Sequence, residues 1–279
     1  MELLFLGEPM IEFNQTTPDG PYVQGFGGDT SNAAIAAARQ GASVGYLGAT
    51  GADVFGDLFD GLWRGERVDT RAVLRMEDAP TGLYFVTHGP QGHVFSYRRA
   101  GSASSRYGVR HLPHDLLKQA KVLHVSAISQ AISDVACDGV FEAIDIVRKA
   151  GGLVSYDTNL RLKLWPLARA RAVIEATAAM ADIVLPGLDD ARLLTGLETA
   201  GEIADHYLAL GARHVALTLG ADGVLYANRD TRERIAPHVV EAVDATGAGD
   251  AFDGAFLAEL LATGDGVAAA RHANAAAAL

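Results

Sequence analysis

The sequence predicts an α/β protein with a mostly parallel central sheet and a second, small antiparallel sheet. Short apolar runs alternate with segments of helical periodicity along most of the 279 residues, which is the order of βαβ units. Two stretches, at about 11–26 and 80–99, instead show strand-like alternation with no helix between neighbouring runs. Because 49% of the residues are hydrophobic, we expect one large core and a single domain over residues 1–279, with these strands inserted in it.

The strands predicted for the central sheet are short apolar runs. They are Leu3–Leu6, Val44–Leu47, Val122–Ser126, Leu153–Asp157, Ile183–Pro186, Val215–Leu219 and Val224–Ala227. The predicted helices are Thr30–Gln40, Val54–Gly65, Gly139–Ala150, Leu167–Met180, Asp189–Leu194, Ala200–Leu210 and Gly249–Ala262. This alternation places helices on both faces of the sheet.

The second interrupting stretch predicts a β-hairpin. Leu83–Thr87 and His93–Tyr97 alternate in polarity and are joined by the Gly/Pro-containing turn His88–Gly92. A small sheet inserted in an α/β domain is expected to cover a site at the carboxyl ends of the parallel strands. Its edges and apolar faces need cover, so we expect a homodimer joined through these lids.

Composition restricts the function classes. The formal net charge of −11 argues against a nucleic-acid partner, whereas an anionic small molecule would need a local cluster of arginines. One cysteine, Cys137, allows no intrachain disulfide, and no apolar run is long enough to cross a membrane, so a cytoplasmic location is expected. The nine histidines show no metal-ligand spacing. Residues 271–279 look helical but lack a C-terminal cap, so we expect the natural chain to continue.

The segment Val243–Phe252 carries the strongest chemical signal. Its run Gly247-Ala248-Gly249-Asp250 follows a strand-like segment and opens an apolar helix. The glycines let backbone amides converge on a phosphate, and the helix N-terminus adds a favourable dipole. Asp250 would then stand beside a transferring phosphoryl group, where a carboxylate can act as base for the attacking hydroxyl. An ordinary helix-capping aspartate is equally compatible with the spacing alone.

Two further glycine-rich turns precede helices. Gly25–Asn32 places paired glycines before a polar start and an alanine-rich helix, and Gly48–Gly56 opens another helix. Either turn brings backbone close to a ligand, or is simply a tight connection between a strand and a helix.

Taken together, these three patterns resemble the PfkB, or ribokinase-like, carbohydrate kinases. The order and spacing of Gly-Gly-Asp-Thr-Ser-Asn at 27–32, of Gly48–Gly56 and of Asp-Ala-Thr-Gly-Ala-Gly-Asp at 244–250 are similar to the family's over nearly the whole chain. The resemblance implies a ribokinase-like three-layer sandwich, ATP and Mg²⁺. It also implies Asp250 as catalytic base, assisted by Gly247, Ala248 and Gly249. A GxxxxGK[ST] loop is absent, as the resemblance implies.

Further segments resemble the 2-keto-3-deoxygluconate kinases within that family. They are Gly7–Glu12, Thr81–Tyr84, Tyr97–Ala103 and Tyr156–Trp165. The resemblance implies a sugar acid bound by Gly28, Asn32, Tyr84, Tyr97, Arg99 and Arg161. Arginine is a natural bidentate partner for a carboxylate. Strand alternation places Tyr97 and Arg99 on one face and Arg98 on the other, which favours Arg99 over Arg98.

The resemblance also implies a nucleotide site. Its residues would be Thr218, Gly220, Gly223, Gly247, Gly249 and Asn274. Where the family has an Asn-x-x-Glu motif near magnesium, this chain has Gly187-Leu188-Asp189-Asp190, so Asp190 is the candidate for ordering the metal's waters.

Two alternatives stay open: a neutral-sugar kinase such as a fructokinase or ribokinase, and a non-catalytic sugar- or nucleotide-binding regulator. A dinucleotide-binding dehydrogenase is disfavoured, because Gly7-Glu8-Pro9 follows the first strand in place of GxGxxG.

Overall fold

The computed structural model describes residues 1–89, 92–238, 240 and 246–278. Its strands are β1 Leu3–Leu6, β2 Met10–Gln15, β3 Tyr22–Gly27, β4 Val44–Gly51, β5 Val73–Met76, β6 Gly82–Gly89, β7 Gly92–Arg98, β8 Val122–Ser126, β9 Leu153–Asp157, β10 Ile183–Leu185, β11 His214–Thr218, β12 Val224–Ala227 and β13 Arg232–Ile235. Its α-helices are α1 Asp29–Arg39, α2 Val54–Gly65, α3 Ala103–Arg106, α4 His114–Leu117, α5 Ala127–Ala131, α6 Asp134–Lys149, α7 Leu167–Ala178, α8 Leu188–Thr195, α9 Ala200–Leu210, α10 Ala248–Thr263 and α11 Gly266–Ala276.

The large sheet has nine strands in the order β13-β12-β11-β10-β9-β8-β1-β4-β5. All neighbours from β11 to β5 pair in parallel, and only β12 and β13 join antiparallel at one edge. Alternate side chains of β1 belong to different cores: Leu4 and Leu6 to one that includes residues of α6, α7 and α9, and Leu3 and Phe5 to one that includes residues of α1, α2, α10 and α11. The predicted α/β class is therefore confirmed, with a helical layer on each face.

The small sheet has the strand order β3-β2-β6-β7. The predicted hairpin is present as β6 and β7, which pair from Leu83 with Arg98 to Gly89 with Gly92. Pro90 and Gln91 of its predicted turn lie outside the described residues. The sheet is not antiparallel throughout, because β2 and β6 pair in parallel. Each of the two directly follows a strand of the large sheet along the chain, β2 after β1 and β6 after β5.

Several elements were not predicted. The edge strands β5 and β13 are four residues long, with the sequences Val-Leu-Arg-Met and Arg-Glu-Arg-Ile, so charged residues interrupt both. Charged edge strands of this kind discourage pairing with another chain. The helices α3, α4 and α5 have four or five residues each, too few to show a helical period.

Close packing of α1 against α10 depends on Gly254. A Cβ at this position would stand 2.2 Å from the carbonyl oxygen of Ala33 and 2.8 Å from the Cβ of Ala36. The two helices can therefore approach each other only where α10 lacks a side chain. This contact fixes the start of α10 relative to α1.

We expect Gly254→Ala to lower the free energy of unfolding by about 1–3 kcal/mol, because α10 must move away from α1. Gly61→Ala is the matched control, since Gly61 lies in α2, where an added Cβ would meet no described atom within 4 Å apart from its own helix backbone and chain neighbours. That change should stabilise the protein by about 0.5–1 kcal/mol through helix propensity. Urea denaturation of both variants measures the difference, and equal shifts would contradict the packing argument.

Candidate active site

A cavity of about 670 Å³ lies at the carboxyl ends of the central strands. Residues at or just after the ends of β1, β9, β10 and β11 line its floor, among them Glu8, Asn159, Gly187 and Thr218. The small sheet covers it with side chains from β6 and β7. A cavity in this position is where open α/β sheets bind ligands.

Most of the residues that the sequence singled out line this cavity. They are Gly28, Asn32, Tyr84, Tyr97, Arg99, Arg161, Asp190, Thr218, Gly247, Gly249 and Asp250. Four others do not appear in its lining. They are Ala248, Gly220, Gly223 and Asn274. The cavity therefore brings together all the residues predicted to bind the sugar. Of the residues predicted to bind the nucleotide, it includes only Thr218, Gly247 and Gly249.

The N-terminus of α10 opens onto the cavity. Gly247 is its N-cap residue and has no side chain to occupy the first free amides of the helix. Asp250 follows in the first turn and accepts a hydrogen bond of 2.8 Å from the side-chain amide of Asn32 in α1. The arrangement can hold an anionic group at the helix start with a carboxylate beside it. Asp244 and Ala245 of the predicted signature lie outside the described residues.

Asp250 belongs to a group of buried carboxylates. Burial, with the nearby negative charge of Asp29, raises the pKa of Asp250 to about 7, against the opposing effects of the Asn32 hydrogen bond and of Arg161. Burial also raises the pKa of Asp157 well above its usual range, again with Asp29 contributing. A carboxylate that titrates near neutral pH can take up a proton from a hydroxyl and release it again.

Asp253 and His124 lie behind this group. Burial and the charges of neighbouring carboxylates raise the pKa of Asp253, whose carboxylate is 3.9 Å from Nε2 of His124. Burial lowers the pKa of His124 to about 3, so the imidazole is neutral at pH 7. Its Nδ1 forms a 3.0 Å hydrogen bond with the hydroxyl of Ser155. His124 is therefore a buried structural histidine.

The small sheet contributes an aromatic and basic surface. The Tyr84 hydroxyl donates to Glu12, and the guanidinium of Arg99 stands 5.0 Å from the centre of the Tyr97 ring. Arg99 also pairs with Glu8. Burial raises the pKa of Glu8, and the adjacent Arg99 opposes that rise. Arg98 is exposed and donates to the backbone oxygen of Tyr97, whereas Arg99, the residue after β7, lines the cavity, so the two arginines are separated as strand alternation predicts.

Arg161 reaches the cavity from the loop after β9. Its side chain is half exposed and donates to the backbone oxygen of Leu160 at 2.9 Å. Asp190, in the first turn of α8, accepts the backbone amide of Leu160 at 2.9 Å and stands 3.9 Å from Arg161. Asp190 therefore holds the loop that carries Arg161, a contact that the sequence did not predict.

The remaining nucleotide candidates have structural contacts. Gly220 and Gly223 form the tight turn between β11 and β12. Asn274 lies on α11 and donates its side-chain amide to the backbone oxygen of Ala236 at 2.8 Å. The Asn274 contact ties α11 to the chain after β13, and a nucleotide role for Gly220, Gly223 and Asn274 stays a prediction.

Comparison with known proteins decides the family. The model of the "pfkB family carbohydrate kinase" matches residues 2–279. The chain belongs to the pfkB family of carbohydrate kinases. It is 34% identical to a 2-dehydro-3-deoxygluconokinase of Bacillus subtilis (strain 168) over 262 residues, which cover 90% of this chain and 81% of that protein. It is equally 34% identical to fructokinase-1 of Oryza sativa subsp. japonica over 264 residues, or 91% and 81% of the two chains.

Solved structures of the family share the fold of this pfkB kinase. One is a putative ribokinase II from E. coli in complex with ATP and Mg²⁺, with a TM-score of 0.92 and 26% identity, over 100% of this chain and 92% of that one. The predicted family and the ribokinase-like fold are thus confirmed. Kinases of this family use ATP, and the protein is a carbohydrate kinase. Among the residues that the structure describes, no helix has the length and apolar character of a membrane span.

Four acidic residues of the pfkB kinase site were missed as site residues. They are Glu8, Asp29, Asp157 and Asp253, all in the cavity lining. The sequence contained a signal for two of them. Glu8 lies two residues after β1 and Asp157 is the last residue of β9, and the carboxyl ends of strands are where α/β proteins form their sites. Asp253 carries no such signal, since it looks like one polar residue in an apolar helix.

Proposed function

We propose that this kinase transfers the γ-phosphoryl group of ATP to the terminal hydroxyl of 2-keto-3-deoxygluconate. One observation carries the proposal: Arg99 and Arg161 line the same cavity as Asp250, together with Tyr84 and Tyr97. Guanidinium groups suit the carboxylate of a sugar acid, and tyrosines offer both an apolar face and a hydroxyl to its hydroxyls. The similarity to a 2-dehydro-3-deoxygluconokinase adds support.

Asp250 is the base of the proposed reaction. The sugar hydroxyl oxygen forms a bond to the γ-phosphorus, the bond from that phosphorus to the bridging oxygen of ADP breaks, and the hydroxyl proton passes to Asp250. Asn32 holds the carboxylate in place through its 2.8 Å hydrogen bond. A pKa of about 7 lets Asp250 be ionised for a large fraction of the time at neutral pH while still accepting the proton.

Backbone amides stabilise the charge on the transferring group. Those of Gly247, Ala248 and Gly249 belong to the N-cap and first turn of α10. At this end of a helix the amides have no intrahelical acceptor, and the helix dipole favours negative charge. Ala248 would take part through its backbone alone. The small sheet excludes water that would otherwise hydrolyse ATP.

The donor chemistry in the cavity fits Mg²⁺. Asp190 offers a carboxylate that is partly exposed to the cavity, with one oxygen engaged by the Leu160 amide. Mg²⁺ keeps several waters and takes only one or two protein carboxylates beside phosphate oxygens. Asp190 would hold such an ion through water, and the ion would neutralise phosphate charge. Thr218, Gly220, Gly223 and Asn274 are proposed for the nucleotide.

A fructokinase is the second candidate, and the pairing of Glu8 with Arg99 favours it. The ion pair leaves Arg99 with little net charge for a carboxylate, and Asp29, Asp157 and Asp250 add carboxyl groups to the cavity that repel an anionic sugar whenever they are ionised. A neutral sugar meets no repulsion from these groups, and the similarity to a plant fructokinase agrees with this alternative. A non-catalytic regulator is disfavoured, because Asp250 is present in the first turn of α10 and lines the cavity.

A panel of sugars in a coupled ADP assay tests the proposal. We expect the highest kcat/KM with 2-keto-3-deoxygluconate, and lower values with fructose, ribose and gluconate. A highest value with fructose would replace the proposal by its second candidate. No ADP release with any sugar, although ATP binds, would favour the regulator.

The pH profile is a separate prediction. Because Asp250 must be ionised to accept the proton, kcat/KM for the sugar should rise with pH below about 7 and level off above it. Asn32→Ala removes a hydrogen bond that stabilises the ionised carboxylate, so the pKa of Asp250 should rise and the acidic limb should move to higher pH. An unchanged or downward-shifted limb would contradict this role of Asn32.

Three broader expectations are proposed with the function: a single kinase domain over residues 1–279, a cytoplasmic location and a homodimer joined through the small sheet. Tyr22, Val23 and Val94 of that sheet are exposed apolar residues that a partner could cover. Light scattering over a range of concentrations tests the dimer, and a monomer mass at every concentration would exclude it.

A further inference from the structure

The pairing of Glu8 with Arg99 connects the two sheets. Glu8 lies in the short connection from β1 of the large sheet to β2 of the small one, and Arg99 directly follows β7. Their side chains form an ion pair across 91 residues of sequence. The Glu8 side chain is 0% exposed and that of Arg99 is 12% exposed. The pair thus stands where the small sheet is attached, at the wall of the cavity.

Stability alone does not account for this pair. Within the described part of the chain, Oε1 of Glu8 and Nε of Arg99 are buried and have no hydrogen-bond partner. An incompletely satisfied buried ion pair recovers little of the free energy that desolvation costs, and apolar residues of similar volume are often as stable. A role of the Glu8–Arg99 pair in ligand binding at the cavity explains its presence better than a contribution to stability does.

The surroundings of the pair restrict both side chains. The Glu8 backbone packs on Gly28, where an added Cβ would stand 2.3 Å from the Glu8 carbonyl oxygen. On the other side, the Arg99 guanidinium stands 5.0 Å from the centre of the Tyr97 ring. Glu8 and Tyr97 therefore hold the guanidinium between them, while Arg99 remains part of the cavity lining. An arginine fixed in this way loses little side-chain entropy when it binds a ligand.

We propose that Glu8 is a positioning residue for sugar binding: it fixes the guanidinium of Arg99 so that its remaining N–H groups face the sugar. Glu8 itself is fully buried and acts through Arg99. The proposal applies to whichever sugar the wild-type enzyme phosphorylates. If fructose proves to be that sugar, the proposed substrate fails and this inference can still be tested unchanged.

Glu8→Met and Glu8→Gln separate positioning from packing. Methionine fills a similar volume but cannot accept from Arg99, so the sugar KM should rise about 10- to 100-fold, while the KM for ATP changes less than about twofold. Glutamine keeps an acceptor oxygen at the same place and should restore the sugar KM to within about threefold of wild type. Glu2→Ala, which removes an exposed partner of Lys121, is the control and should match wild type.

A double-mutant cycle with Arg99→Ala tests whether Glu8 acts through Arg99. If Glu8 acts through Arg99, adding Glu8→Met to Arg99→Ala should cause no further rise in the sugar KM. A further rise of the full size, or an equal rise in the KM for ATP, would overturn the proposal. If Glu8→Met does not fold, Glu8→Asp is the variant to test. The aspartate side chain is one methylene shorter, so its carboxylate lies farther from Arg99. A wild-type sugar KM in Glu8→Asp would also overturn the proposal.

Discussion

Asp250→Asn should lower kcat by about 10²- to 10⁴-fold, the contribution that a positioned base typically makes. The amide has nearly the same shape as the carboxylate but cannot accept the hydroxyl proton. Asn32 already fixes this position from α1, so the start of α10 should stay in place. ATP binding, which the proposed mechanism assigns to backbone amides and neighbouring loops, should be nearly intact.

The coupled ADP assay measures the loss of turnover, and calorimetry with a non-hydrolysable ATP analogue measures binding. Asp138→Asn is the control, because Asp138 is an exposed aspartate on α6. Turnover near the wild-type value in Asp250→Asn would exclude Asp250 as the base. A loss of nucleotide binding of the same size as the loss of turnover would show that the substitution disrupts the helix start instead.

Arg161→Ala should reduce kcat/KM for 2-keto-3-deoxygluconate by about 10- to 100-fold, the effect of losing one charge-assisted hydrogen bond. For a neutral sugar the loss should be less than about threefold, because no carboxylate is left without its partner. The half-exposed side chain of Arg161 makes few contacts with the protein, so the fold should tolerate its removal.

Arg98→Ala is the matched control for Arg161→Ala. Arg98 is also an exposed arginine near the site, but it lies on the outer face of the small sheet. Its removal should leave kcat/KM unchanged for both kinds of sugar. Equal losses for the sugar acid and the neutral sugar in Arg161→Ala would contradict a carboxylate contact at this position.

Local sequence patterns predicted most of the architecture. Four strands, β1, β8, β9 and β12, have the predicted bounds, because each is mostly apolar and has most of its residues buried on both faces of the sheet. Prediction of strands from apolar runs fails where only one face of the strand is buried or where little of the strand is buried. The charged strand β13 and the four-residue strand β5 occupy the edges of the sheet and were missed for that reason.

Part of the site also followed from local pattern. Strand alternation separated Arg99 from Arg98, and the glycine run at 247–249 located the start of α10 to within a residue. Asp190 shows the limit of such reasoning. Resemblance to a magnesium motif drew attention to it, but its contact with the Leu160 amide depends on how α8 packs beside the loop after β9.

What the sequence by itself determined is the α/β class, the small sheet, the membership of a sugar-kinase family and the residue types of the site. These depend on periodicity and on short motifs, which are properties of neighbouring residues. Only the tertiary structure decided the pairing of Glu8 with Arg99 and of Asn32 with Asp250, residues 91 and 218 positions apart. It also decided the raised pKa of Asp250, because burial and a nearby carboxylate act through space and leave no trace in the local sequence.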